Sequence, residues 1–523
     1  MRTVEVVIGL LAVIAVLGVV AERFRLPYPP VLVLGGIALG LIPGLPAVRL
    51  QPHLVLFGFI PPLVYAAAFQ AAGYDLRSHA VQIVSLAIGL VLLTVGAAGA
   101  VGHLAGGIPW VSAFVLGALA APTDPVSASA VLAGVGAPEE IVTILEGESL
   151  INDGTGFAVF AVAVAAVGGG YSPGHGVLKF VEISAGGIVI GLAVGWVSVR
   201  LRRPLDLPSI EIVLGLLAAF GSYAAADAAG FSGVLAAVTA GLYIGRHAQD
   251  ISSPQTRLRM EPVWDAATFV LESILFLLIG LQLPSIVHGI PHGHIASAVL
   301  TAAAVVGAVI ALRAAWMITV APLLSRLFPT RVSPIARVEV VVLSWSGMRG
   351  ALSLAGALSI PLVVGTHAFP ARDQVIFIVY CVVLGTLIIP SFTLKALVKR
   401  LGLGQSEQMH EQEVTARIRV AHAALAQIDE IAEEHEIPED VVARLRAIYE
   451  LRLNRLESSR ADGSLRKGAS HDSPGSHELR QRLIDAQRRA LDEIRTERAA
   501  GTQVRGKLSR LATRRTFVAT GTV

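Results

Sequence analysis

Long apolar runs, broken by proline, glycine and charge, fill the first 400 residues. A helix needs about 20 apolar residues to cross a ~30 Å hydrocarbon core. Runs of that kind recur at 4–20, 29–45, 53–72, 80–104, 110–134, 139–167, 176–200, 209–229, 231–246, 262–282, 294–324, 336–364 and 374–398. The pattern predicts thirteen transmembrane helices. It is continuous rather than alternating, which excludes a strand barrel. The charged cluster Glu22–Arg25 reads as the end of a retained first helix, not as a signal-peptide cleavage region. After residue 400 the pattern changes. Val414, Ile418, Ala421, Leu425, Ile428 and Ile431 recur at helical intervals, a Ser/Gly-rich break covers Ser458–Ser476, and a second charged helix is predicted near 477–499. The predicted fold is all-α: a polytopic membrane domain over 1–400 and a helical tail over 401–523, read as regulatory.

Composition sharpens this division. Of the 523 residues 54% are hydrophobic and 15% charged, against about 25% charged in soluble domains. The tail holds 39 Asp, Glu, Lys and Arg residues and the first 400 positions hold 40. One soluble enzyme domain, disorder throughout and a coiled coil are thereby excluded. The one cysteine, Cys381, allows no internal disulfide, Cys-based metal site or redox pair. A net charge of +3 with scattered basic residues gives no footprint for nucleic acid. Fifteen Lys and Arg residues follow odd-numbered helices, including Arg25, Arg77, Arg202, Arg257 and Arg331. Four (Arg2, Arg49, Lys179 and Arg372) lie at the N-terminus or after even-numbered ones. The positive-inside rule then predicts an outside N-terminus and a cytoplasmic tail.

Ionisable residues at membrane depth cost several kcal/mol unless paired or hydrated, so each is a functional candidate. Asp124 lies between Pro122 and Pro125 in the fifth span, where two prolines forbid regular helix and free nearby carbonyls. The sixth span reads Leu145-Glu-Gly-Glu-Ser-Leu-Ile-Asn-Asp-Gly-Thr-Gly156. On a helix Ser149 and Asp153 share one row, and Glu148 and Asn152 form the next. The twelfth span places Arg349 between Gly347 and Gly350, and Arg313 lies in the eleventh. Neither guanidinium can deprotonate, so each demands a buried acid. The acids within spans are Asp124, Glu148, Asp153, Asp227 and Glu272, while Glu211 and Glu339 read as interfacial. Spacing alone does not assign the pairs.

The fifth and twelfth spans are both interrupted and lie seven helices apart. Matching broken helices point to two inverted repeats, spans 1–6 and 8–13, with crossed half-helices and a midplane site. A carboxylate there that holds either a cation or a proton exchanges the two without further machinery.

At these residues the chain resembles the NhaP/NHE-type sodium/proton antiporters. The matching motifs are Ala121-Pro-Thr-Asp-Pro125, Glu148-Ser-Leu-Ile-Asn-Asp-Gly154 and Gly347-Met-Arg-Gly-Ala351, supported by Phe231-Ser-Gly-Val-Leu-Ala236 and Leu275-Phe-Leu-Leu-Ile-Gly-Leu-Gln-Leu283. The resemblance implies that Asp153 is the essential ion- and proton-binding aspartate. It makes Asp124 its partner, with the Thr123 carbonyl and Ser149 as neutral ligands, so that transported Na⁺ sits at Asp124, Ser149 and Asp153. It implies a buried pair of Glu148 with Arg349, and electroneutral exchange because Asn152 stands where electrogenic relatives carry a second aspartate. It also implies a homodimer in the cell membrane, a mobile core moving like an elevator, and no cofactor beyond the transported Na⁺ and H⁺. One position departs from the pattern: Ala66, after Pro61-Pro62, stands where many relatives carry an acid. Glu272 and Arg313 are accessory candidates. The runner-up reading is K⁺/H⁺ antiport. A cation channel, or a protease using Asp124 and Asp153 as a dyad, accounts for fewer of these residues.

Overall fold

The computed structural model describes residues 2–461 except 25, 44–56, 73–75, 77, 134–136, 169–172, 204, 206, 291–294, 329–335, 365, 403–414, 416–417, 429–431 and 433–437. The charges expected of Arg25, Arg49, Arg77 and Arg331, the tail positions Val414 and Ile431, and the helix expected near 477–499 lie outside the described residues. The chain divides into two compact units, Met1–Ser406 and Glu407–Val523.

The first unit is helical almost throughout. Its helices of eight residues or more are α1 (Arg2–Phe24), α2 (Tyr28–Gly40), α3 (Ile60–Ala71), α4 (Ala80–Gly106), α5 (Trp110–Ala120), α6 (Pro125–Ala133), α7 (Glu139–Val167), α8 (Pro173–Arg202), α9 (Pro208–Ala228), α10 (Gly233–Arg246), α11 (Pro254–His288), α12 (Ile295–Leu327), α13 (Arg337–Trp345), α14 (Ala351–Leu358) and α15 (Arg372–Arg400). Among the described residues eight are long and apolar enough to cross a membrane by length and composition; α2, α3, α5 and α10 are shorter apolar helices. Counting α5 with α6 and α13 with α14 as one interrupted span each gives the thirteen spans that the hydropathy pattern predicts. The protein is therefore a polytopic all-α membrane protein.

Packing follows the apolar pattern. Leu32, Leu116, Leu119, Leu277, Val379 and Val383 are buried where α2, α5, α11 and α15 meet. Large apolar side chains on the outer helices stay uncovered, for example Leu104 at 79% and Leu300 at 71% exposure. A soluble protein seldom shows such a continuous apolar surface; a lipid-facing belt does.

Several local features differ from the hydropathy reading. The second span ends at Gly40 rather than 45, and the tenth extends over Pro254–His288, absorbing Pro262 and Pro284. Residues Ser85–Leu90 of α4 are π-helical. The twelfth span stops at Leu358, and Val363–Val364 pairs antiparallel with His367–Ala368 in a small hairpin. Asp227, expected within the membrane, is exposed in the last turn of α9, whereas Glu211, expected at an interface, is fully buried. Glu339 caps its own helix, its Oε2 accepting from the Ala336 amide at 2.9 Å.

In the second unit residues 418–428 are helical, and α16 spans Glu439–Ala461, continuing into the stretch expected as a break. His422 Nε2 lies 3.8 Å from Glu457 Oε1 on α16.

Candidate functional site

The two interruptions meet each other. Pro122 and Pro125 end α5 and begin α6, leaving residues 121–124 outside regular helix. In the twelfth span glycine does the same work: α13 stops at Trp345, and residues 347–350 lie outside regular helix before α14. Each break orphans backbone groups that a membrane cannot solvate. They are satisfied across the two breaks and by neighbours. The Asp124 amide donates to the Met348 carbonyl at 2.8 Å. Ser149 Oγ donates to the Thr123 carbonyl at 2.7 Å. Arg313 Nε donates to the Leu343 carbonyl at 2.9 Å, and the Arg349 amide donates to Thr386 Oγ1 at 3.1 Å.

Beside this junction lies a cavity of about 60 Å³ lined by Thr123, Asp124, Glu146, Ser149, Asp153 and Glu272 together with apolar side chains. At ~10–15 Å³ of such volume per water, it holds a few waters or one cation with part of its shell. Carboxylate, hydroxyl and carbonyl oxygens are the ligands hard cations prefer. Ser149 spends its proton on the Thr123 carbonyl, so its oxygen lone pairs remain available to a cation. Among the described residues no three acidic, His or Cys side chains converge closely enough to hold a metal. A cation placed here would have only a few carboxylate contacts to draw on, supplemented by neutral oxygens and water.

Behind the cavity wall stands a second polar layer. Asn152 Nδ2 donates to Thr123 Oγ1 at 2.6 Å, and Thr123 Oγ1 donates to Glu148 Oε1 at 3.3 Å. Glu148 is held by Arg313 in a two-pronged pair, Nη1 to Oε1 at 2.5 Å and Nη2 to Oε2 at 2.9 Å, both residues being almost fully buried. This corrects the expected pairing of Glu148 with Arg349. Helix α12 brings Arg313 against both Glu148 and the broken end of α13, so one guanidinium satisfies a carboxylate and a freed carbonyl together. Arg349 is equally buried, and its Nε and Nη1 have no hydrogen-bond partner. Neither Glu148 nor Asn152 is among the cavity-lining residues. Asn152 instead fixes Thr123 in position.

Two glycines admit this arrangement. A Cβ on Gly347 would stand 2.7 Å from Arg313 Nε, and one on Gly350 would stand 2.7 Å from Asp124 Cγ and Oδ2. Overpacking of this kind costs about 1–3 kcal/mol. Gly350→Ala is therefore expected to displace the Asp124 carboxylate and slow any transport through the cavity by roughly tenfold or more, a factor of ten being about 1.4 kcal/mol. Initial rates in reconstituted vesicles check this; an unchanged rate would mean that Asp124 lies off the transport route.

Glu146 escaped the sequence reading although its signal was present. Residues 146, 149 and 153 fall on one helical face, and the structure sets all three on the cavity wall, with Ser129 Oγ donating to Glu146 Oε1 at 2.8 Å. Glu272 reaches the same wall from α11. Ala66 does not; it lines a different cavity.

Comparison with known proteins gives concordant results. Residues 9–400 match the family described as sodium/hydrogen exchanger, transmembrane. The uncharacterised Na⁺/H⁺ exchanger YjcE of Escherichia coli is 32% identical over 513 residues, 93% of this chain and 91% of that protein. The Na⁺/H⁺ antiporter ApNhaP of Aphanothece halophytica is 31% identical over 426 residues, 80% of this chain and 78% of that one. The sodium proton antiporter MjNhaP1 of Methanocaldococcus jannaschii superposes with a TM-score of 0.59 at 20% identity, over 77% of this chain and 100% of that structure. That likeness concerns the fold.

Proposed function

The chain belongs to the sodium/hydrogen exchanger family, and from that premise we propose that it exchanges Na⁺, or Li⁺, for H⁺ across the cell membrane, with cation and proton competing for Asp153 and Asp124. The observation that carries this reading is the shared cavity. Asp124, Ser149 and Asp153 line one small chamber at the meeting point of two broken helices. Removing water from a carboxylate favours its protonated form, and a neighbouring cation favours the ionised form. A chamber that accepts one or the other, and reorients only when filled, couples the two flows with opposite signs. Occupancy by one cation or one proton makes the exchange electroneutral, and asparagine at 152 supports this by withholding a second carboxylate from that row. Reorientation is read as an elevator movement of the core bearing both broken helices within a homodimer, with the N-terminus outside. The basic residues at the ends of α8, α10 and α12 support that orientation.

Competition has a kinetic signature. In proteoliposomes with a fixed driving force, lowering the pH on the cation-binding side is expected to raise the apparent KM for Na⁺ by up to about tenfold per pH unit, while the maximal rate at saturating Na⁺ stays constant. Collapsing the membrane potential is expected to leave the rate unchanged. A KM independent of pH would separate the proton site from the cation site and overturn the proposal.

A further inference from the structure

A second cavity, of about 490 Å³, opens between α3, α8, α10 and α11, near the ends where Arg202, Arg246 and Arg257 gather. Its polar wall is anchored by Arg202, which is 1% exposed and whose Nε and Nη2 have no hydrogen-bond partner. Two unpartnered nitrogens on a buried guanidinium are costly, and the group cannot shed its proton; its hydrogen-bonded neighbour is the buried Tyr65 of α3. The buried acid of α9 does not relieve the guanidinium. Glu211 Oε2 accepts from Ser252 Oγ at 2.5 Å, while Glu211 Oε1 is itself without a partner and so does not reach the free arginine nitrogens. Ala66, on the same wall, contributes no charge.

The remaining charges run along one face of α11. Arg257, Glu261 and Asp265 recur every fourth residue on the cavity wall, with both acids exposed and Asp265 Oδ1 accepting from Gln70 Nε2 at 3.1 Å. Phe69, Met260 and Trp264 supply an apolar flank. The site therefore has a buried cationic end, an acidic rim and a greasy side.

We propose that this cavity binds the headgroup of an aminophospholipid, its phosphate at the guanidinium groups of Arg202 and Arg257 and its primary ammonium on Glu261 and Asp265. The edge of a guanidinium presents two parallel N–H donors that match two phosphate oxygens. A primary ammonium carries three donors for the rim carboxylates, whereas a quaternary ammonium carries none. A plain anion fills the Arg202 end but is repelled by the two rim acids. The cavity is several times larger than the one around Asp153 and accommodates both charged groups. Tryptophan beside it is the residue type that settles at the membrane–water boundary. The inference is independent of the transported ion.

The test uses the full-length protein, delipidated in mild detergent and presented in turn with phosphatidylethanolamine, phosphatidylcholine, phosphatidylglycerol and inorganic phosphate, with retained lipid counted by native mass spectrometry. Phosphatidylethanolamine is expected to be retained on the order of tenfold over phosphatidylcholine, the scale of one charge-assisted hydrogen bond. Glu261→Gln combined with Asp265→Asn is expected to erase that preference, and Arg202→Gln to erase retention of both lipids. Should Arg202→Gln fail to fold, the rim double variant decides alone, because its side chains are exposed. Equal retention of the two zwitterionic lipids by the unaltered protein overturns the proposal, as does phosphatidylglycerol retained above phosphatidylethanolamine. Displacement of the lipid by millimolar inorganic phosphate assigns the cavity to a free anion and overturns it too.

Discussion

Asp153→Asn is expected to reduce cation-driven proton movement to the leak of protein-free vesicles, with expression and thermal stability retained. Asparagine keeps the shape and oxygen of aspartate but neither carries the charge that holds a cation nor binds the proton that replaces it. The cavity would keep Ser149 bonded to the Thr123 carbonyl, because neither group depends on residue 153. Most other losses of a ligand weaken binding and are overcome by more substrate. This one removes the coupling itself, so raising Na⁺ restores nothing. Isotopic Na⁺ uptake by proteoliposomes, with melting temperature measured on the same preparation, checks both halves. Retained exchange would remove Asp153 from the carrier role.

Glu148→Ala is expected to be the most destabilising single substitution in the membrane domain. Glu148 receives both terminal nitrogens of Arg313, and the two residues are almost wholly buried. Breaking such a pair from one side costs about 3–5 kcal/mol, because the surviving charge has no water to fall back on. The effect should be asymmetric. A carboxylate left alone can neutralise by binding a proton, but a guanidinium cannot. Arg313→Met should therefore cost less than Glu148→Ala. Arg349→Met should cost less again, since its Nε and Nη1 hold no partner to be stranded. Melting temperatures in one detergent give the order. Arg349→Met costing more than Arg313→Met would restore the pairing with Arg349.

The contrast between those two arginines shows where sequence reading stops. The thirteen apolar runs, the proline-bracketed Asp124 and the helical row of Ser149 and Asp153 were all legible, because each depends on local spacing. The partner of Glu148 was not. Arg313 lies 165 positions away and Arg349 satisfies the same chemical demand, so only the packing of α12 against the end of α13 decides between them. Glu146 was legible by spacing and went unread because its neighbours in the motif drew the functional assignment. Position 66 misled in the opposite direction. Its place in a motif suggested a ligand, while the turn of α3 directs it to another cavity. Glu211 belongs to the same class, since nearness to a helix end does not reveal whether a neighbouring helix covers it. The π-helical stretch and the hairpin at Val363–Ala368 have no hydropathy signal of their own.

The central claim is that one cavity carries either Na⁺ (or Li⁺) or a proton. The most direct measurement loads proteoliposomes with an acid interior and a pH-sensitive dye, then adds Na⁺, Li⁺, K⁺ and choline separately, with Asp153→Asn vesicles in parallel. The account predicts dequenching on Na⁺ or Li⁺, none on choline, and none on any cation in the variant. Dequenching that persists in Asp153→Asn, or that K⁺ alone produces, would contradict it.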